Sequence, residues 1–167
     1  RFELAGRLSV IKSDGYIDRA SSDLKSYFLQ GTYVGKTTLI KSILGMVVPE
    51  KGGIQVNNAA VKNNWHYREQ IGYMAQIANF PPNLRVKELI RMIDDLRNGQ
   101  AEYSSLVELF GLEEMMDKRL GDLSGGTRQK VNAVLALMFD SPIIILDEPT
   151  TGLDPVALIK LKDMLNQ

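Results

Sequence analysis

The sequence predicts an α/β fold in which a parallel-sheet core is interrupted by a helical insert, and three observations carry that expectation. Ile143-Ile144-Ile145-Leu146 is apolar on both strand faces, the pattern of a strand covered on each side inside a parallel sheet. Tyr27-Phe28-Leu29 runs into Gly31 and, after Gly35-Lys36-Thr37-Thr38, into Leu39, Ile40, Ile43 and Leu44 at helical spacing, which reads as strand, tight turn, helix. Val86, Leu89, Ile90 and Ile93 recur at i, i+3, i+4 and i+7, and Leu106, Leu109 and Phe110 ahead of Gly111 suggest a further helix of the insert.

Between these elements the turn chemistry is explicit. Gly45 is placed to stop the first helix, and Pro49-Glu50-Lys51-Gly52-Gly53 leads into a strand at Ile54 to Val56. A second strand is expected from Ile71 to Met74. After Gly125-Gly126 a third periodic helix sets Val131, Val134, Leu135 and Met138 on one face, and the apolar strand at Ile143 follows. One domain over residues 1–167 is expected, with 1–83 and 119–167 as the core and 84–118 as the helical subdomain.

Composition narrows the function. The chain has 167 residues, 44% of them hydrophobic and 24% charged, which suits an ordinary globular domain. Lys plus Arg equals Asp plus Glu at 20 each, so no global positive field draws nucleic acid or an anionic membrane, and no nucleic-acid partner is expected. The absence of cysteine excludes a disulfide framework and a thiolate metal site, and fits the cytoplasm. The longest apolar stretches, Ala133 to Phe139 and Ile143 to Leu146, fall far short of the ~20 residues of a spanning helix. Arg1 to Ile11 offers only apolar pairs broken by Glu3 and Arg7, with Lys12 next, and predicts no secretory leader.

Three segments carry chemistry. Gly35-Lys36-Thr37 lies where backbone N–H groups and a helix N-terminus hold phosphates, with lysine as a point charge and a threonine hydroxyl able to ligate Mg²⁺. Taken alone, it reads equally as an ordinary helix start. Asp147 and Glu148 follow the apolar strand at its carboxyl end, where α/β sheets bind ligands; Asp147 would orient Mg²⁺ and Glu148 polarise a water for attack on a γ-phosphate. The competing reading is a strand-to-helix turn with an acidic cap. In Leu123-Ser124-Gly125-Gly126, two glycines allow close backbone approach and the following helix favours an anion, unless Ser124 is only an N-cap. Two phosphate-reading helix starts in one chain imply two nucleotides, or two chains sharing one.

Here a family enters. Leu123-Ser124-Gly125-Gly126-Thr127-Arg128-Gln129 resembles the ABC signature sequence, and Ile143 to Thr150 resembles its Walker B strand with the catalytic glutamate. Thr151-Gly152-Leu153-Asp154-Pro155 is similar to the D-loop, and Gln76 after Ile71-Gly72-Tyr73-Met74-Ala75 to the Q-loop. The resemblance covers Tyr27 to Gln167 and implies a P-loop NTPase-like core with ATP and Mg²⁺ as cofactors. It implies a nucleotide held by Gly31, Thr32, Val34, Gly35, Lys36, Thr37 and Thr38, with Ser124, Gly125, Gly126 and Asp154 reaching it across a head-to-tail dimer. It gives Glu148 and Gln76 catalytic roles, and Thr37, Gln76 and Asp147 to the metal. The implied partners are a second ABC ATPase domain and transmembrane permease subunits, which would place the chain in the cytoplasm at the inner face of the membrane, bound only through its partner. The signature resembles most the bacterial ABC-2 exporters and the copper-processing subunits. The alternatives are a soluble ABC-type ATPase and a non-hydrolysing, truncated interaction module.

The match departs from the family at three places. Gly31-Thr32-Tyr33-Val34-Gly35-Lys36-Thr37 has three residues between its glycines, where the Walker pattern has four, and Tyr33 or Val34 stands where glycine is common. Such a loop has either been altered, weakening binding, or lost residues; the intact remainder favours loss. Residues 1–25 are the least family-like, with Tyr16 the one candidate to stack on adenine, against an ordinary surface tyrosine. The chain ends 13 residues after Asp154, ahead of the family's switch histidine. His66 precedes Gln76 and is expected on a solvated loop with Trp65 and Tyr67; partial burial is expected for Trp65, and ordinary packing for Met115-Met116.

Overall fold

The segment Arg1–Tyr67 forms one of two units into which the chain divides; Arg68–Asn166 forms the other. The computed structural model describes residues 4–12, 23–31, 36–49, 52–150 and 152–165. Tyr16, Tyr33 and Thr151 lie outside them.

In the first unit β1 (Leu4–Lys12) pairs antiparallel with β2 (Asp23–Gly31), with Leu4 opposite Gly31 and Lys12 opposite Asp23. The helix α1 (Lys36–Ile43) ends as its sequence predicts: Gly45 takes φ +70°, its N–H donates to the Ser42 carbonyl at 3.1 Å, and the Met46 N–H reaches back to the Lys41 carbonyl at 2.8 Å. These two bonds satisfy carbonyls that a helix end leaves unpaired. The expected strand is β3 (Gln55–Val56), and it turns at once into β4 (Ala59–Ala60). Asn57 and Asn58, at φ +47° and +66°, supply the double left-handed turn whose twist matches that of a two-residue hairpin. Trp65 is 60% exposed, more than its expected partial burial, and stacks on His66 with ring centroids 3.7 Å apart. Tyr67, expected on the same solvated loop, is buried.

In the second unit β5 (Ile71–Met74) pairs in parallel with β6 (Ile143–Leu146), Ile71 opposite Ile143 and Met74 opposite Leu146. Both strands therefore end at the same edge. All four residues of β6 are only half-buried, less than expected for a strand covered on both faces. Around the pair lie α2 (Val86–Leu96), α3 (Ser104–Phe110), α4 (Gly125–Leu137) and α5 (Pro155–Leu165). Val86, Leu89 and Ile90 of α2, and Leu106, Val107 and Phe110 of α3, enter one core with Val131 and Val134 of α4. Gly111, in the left-handed region, ends α3 as expected, and Met115 and Met116 pack against this core.

α4 is buried around more of its circumference than one apolar stripe would give, since Gln129, Asn132, Ala133 and Ala136 are buried beside Val131 and Val134. The small residues mark where it meets β5: a Cβ added to Gly72 would lie 2.1 Å from the Ala136 carbonyl oxygen.

Two sets of polar contacts hold the frame. The segments on either side of the two helices run together, with the Val86 N–H on the Lys118 carbonyl, the Leu120 N–H on the Leu84 carbonyl and the Gly121 N–H on the Pro82 carbonyl. The Arg97 guanidinium, just after α2, donates to the carbonyls of Arg68 at 2.8 Å, Ile71 at 3.0 Å and Glu69 at 3.3 Å, and lies 4.5 Å from the Phe139 ring centroid. Burial draws its pKa below the ordinary guanidinium value, opposed by the charge of Glu69. Replacing Arg97 by alanine should lower the unfolding free energy by about 2–3 kcal/mol, since charged hydrogen bonds are worth more than neutral ones. Arg97→Lys should recover only part of it, because an ammonium cannot reproduce the fork. Urea unfolding of the three proteins measures both.

Candidate functional site

The parallel register of β5 and β6 brings Gln76 and Asp147-Glu148 to one edge. The Asp147 N–H donates to the Met74 carbonyl at 2.9 Å, continuing the ladder one residue past the strands, and this buries Asp147 to 6% exposure. Glu148 is exposed and takes φ +53°, a conformation that costs a non-glycine residue of order 1–3 kcal/mol and gathers at functional sites. The turn aims its carboxylate across the edge, where Gln76 Nε2 donates to Glu148 Oε2 at 2.5 Å. On β5, Tyr73 has its pKa raised by burial and then by the Asp147 charge, so its phenol stays protonated.

Oxygen donors of this kind suit Mg²⁺, which is commonly held by one or two carboxylates plus substrate phosphates. Among the described residues no cluster of three metal-ligating His, Cys, Asp or Glu side chains exists.

A second group of residues surrounds the start of α4. Ser124 caps the helix: its Oγ accepts the Thr127 N–H at 3.2 Å and lies 2.8 Å from Thr127 Oγ1. Ser124 and Gly125 are exposed, and a Cβ on Gly125 would meet nothing within 4 Å. A Cβ on Gly126 would lie 3.0 Å from the Gly152 carbonyl oxygen, so Gly126 and the segment before α5 lie close together. Asp154 caps α5 through the Ala157 N–H at 2.8 Å, with Pro155 as the first helical residue, and pairs with Lys130 of α4 at 2.8 Å. Lys130, then the Ala157 N–H, hold the Asp154 carboxyl below the ordinary carboxylate range.

Three residues that the sequence reading did not single out join these groups. Gln129 Nε2 donates to the Gln76 carbonyl at 2.6 Å, and Asn132 Nδ2 donates to the Ala75 carbonyl at 2.8 Å and to Gln129 Oε1 at 2.9 Å. Lys130 is the third, through Asp154. The signal available was a polar pair one turn apart within an apolar helix, though its partners lie 53 and 57 residues away in the chain.

The residues expected to hold phosphate belong to the first unit. Gly31 ends β2, Lys36 and Thr37 open α1, and Thr38 is exposed on it, its carbonyl accepting Ser42 Oγ at 2.8 Å. Thr32, Val34 and Gly35 lie outside the described residues, as do the side chains of Lys36 and Thr37.

A parallel pair delivers a buried aspartate and an exposed glutamate to one edge, beside a capped helix start, and likeness to solved structures defines the class of the fold as that of the P-loop NTPases. One, described as the ATP-binding subunit of an ABC transporter, has TM-score 0.73 and 31% identity, covering 79% of this chain and 57% of that one. Another, an ATP-binding cassette in a dimeric post-hydrolysis state bound to ADP and Pi, shares the fold at TM-score 0.67 and 24% identity, covering 78% of this chain and 63% of that one. The ABC transporter family model matches residues 31–151. The Nod factor export ATP-binding protein I of Burkholderia orbicola (strain AU 1054) is 34% identical over 129 residues, covering 74% of this chain and 42% of the relative. That of Rhizobium meliloti is 37% identical over 129 residues, covering 74% of this chain and 38% of the relative. The chain belongs to the ABC transporter family as an ATP-binding domain. It spans about two fifths of the length of the curated relatives it matches. Among the described residues no helix is long and apolar enough to cross a membrane.

Proposed function

We propose that this domain binds Mg-ATP and hydrolyses it as the motor of a membrane transporter, closing head to tail on a second ABC ATPase domain. The observation that carries this reading is the Gln76 amide on the Glu148 carboxylate beside buried Asp147, at the shared edge of β5 and β6. In this reading Glu148 takes a proton from the attacking water, and Gln76 holds both that carboxylate and the water in line. Asp147, Thr37 and Gln76 would hold Mg²⁺, whose charge neutralises the phosphates. Lys36 and the backbone from Gly31 to Thr38 would cradle the nucleotide. The exposed Ser124-Gly125 end of α4, open at Gly125, supports a γ-phosphate contact made to the partner domain's nucleotide. Asp154 would organise the seam.

The side-by-side segments at 82–86 and 118–121 support residues 84–118 as a helical insert whose ends return to the core. The insert and the Gln76 loop would receive a permease subunit at the inner face of the membrane, and the relatives named for export favour an exporter. Mg-dependent binding of a fluorescent ATP analogue and phosphate release, measured for this chain and for one with a residue restored between Gly31 and Gly35, test the reading. Binding and turnover, stronger with the longer loop, are expected; no binding by either protein would overturn it.

A further inference from the structure

Gln129 and Asn132 lie on the helix that begins at the signature sequence, yet their amides bond to the backbone of another segment. Both are buried, at 5% and 6% exposure, and both donate into the backbone of the segment that carries Gln76. Buried polar side chains at this depth are retained at a desolvation cost unless their bonds are made, and here those bonds end on two consecutive carbonyls, Ala75 and Gln76. Asn132 also braces Gln129 through Oε1, so the pair acts as one rigid fork. Gln129 meets the D-loop too: a Cβ on Gly152, at φ +84°, would lie 3.1 Å from Gln129 Cγ. One step beyond the fork, the Gln76 side chain holds the Glu148 carboxylate.

We infer that Gln129 and Asn132 are positioning residues that set the Gln76 side chain against Glu148, linking the signature helix to the water-activating carboxylate within one chain. The inference deepens the hydrolytic reading and rests on Glu148 in that role. A shift of α4 along its axis moves both donors together, and with them the backbone on which Gln76 stands; the carboxylate then loses the amide that holds it. The energetic lever is geometric, since a misplacement of about 1 Å near reacting groups costs up to ~10²-fold in rate.

The test uses Gln129→Met and Asn132→Leu, which keep approximate volume and remove the donors, with Val107→Ala in α3 as a control that loosens the core without touching the fork. In amide NMR spectra of the full chain, the Gln76 side-chain resonance, identified by its loss in Gln76→Ala, should move towards the free-amide position in both variants. It should move the same way in Glu148→Ala and stay at the parental position in Val107→Ala. Phosphate release should lose roughly ten- to a hundredfold in kcat with little change in KM for ATP. A Gln76 resonance that is parental in both fork variants, or moves equally in Val107→Ala, overturns the inference, as does parental kcat in both. Absence of ATP turnover in both the parent chain and the one with a residue restored between Gly31 and Gly35 refutes the hydrolytic reading alone, and the Gln76 resonance then decides the positioning inference.

Discussion

Glu148→Gln abolishes steady-state phosphate release while ATP binding persists and a nucleotide-bound dimer accumulates: this is the expected result with the largest effect on activity. The substitution keeps an oxygen that can accept the Gln76 Nε2 hydrogen bond and leaves the backbone at φ +53° in place, so geometry is preserved. What it removes is the basic carboxylate, and general-base catalysis contributes typically about 10²–10⁴-fold. Equilibrium ATP binding, gel filtration with and without ATP, and single-turnover phosphate release separate the three properties. Parental turnover in the variant would exclude Glu148 as the base and return it to an acidic residue in a strand-to-helix turn.

The largest expected effect on stability comes from the smallest substitution, Gly72→Ala. The new Cβ would sit 2.1 Å from the Ala136 carbonyl oxygen and 2.8 Å from Ile144 Cδ1. The isoleucine can turn away. The carbonyl cannot, because it belongs to α4, whose buried face is fixed by the core, so β5 and α4 must separate. Overpacking of this kind costs about 1–3 kcal/mol and occasionally more, and a clash against backbone belongs at the upper end. Against a total stability of ~5–15 kcal/mol the loss is large, and urea unfolding should show a clearly lower midpoint. The same separation draws Gln129 and Asn132 from the Ala75 and Gln76 carbonyls, so surviving folded protein should also lose activity. Unfolding at the parental denaturant concentration would show that β5 and α4 do not meet at Gly72.

Much of the second unit was legible because its signals are local. Val86, Leu89 and Ile90 announce α2, Gly111 the end of α3, and the run Ile143 to Leu146 a strand within one residue of the acids it delivers. The caps at Ser124 and Asp154 follow from residue type at a helix start, and the structure makes both, which leaves their proposed contacts with a nucleotide and a partner domain as an additional role. Elsewhere local pattern was insufficient. The hairpin at Asn57-Asn58 is hidden because Ala59-Ala60 are weak strand formers and each strand has only two residues. Trp65 was expected to be partly buried from its size, yet it stacks on His66 at the surface. The apolar stripe read on α4 omitted Gln129 and Asn132, polar residues buried because their partners are backbone carbonyls of another segment.

By itself, then, the sequence determined which residue types stand at strand ends and helix starts, and so the class of chemistry and the family, because turn, cap and strand preferences act over a few residues. Only the tertiary structure decided that Gln76 meets Glu148 and that Gln129 and Asn132 hold the backbone beneath Gln76. Those contacts depend on a parallel strand register and on the close approach of α4 at Gly72, and both are set by packing between segments more than fifty residues apart.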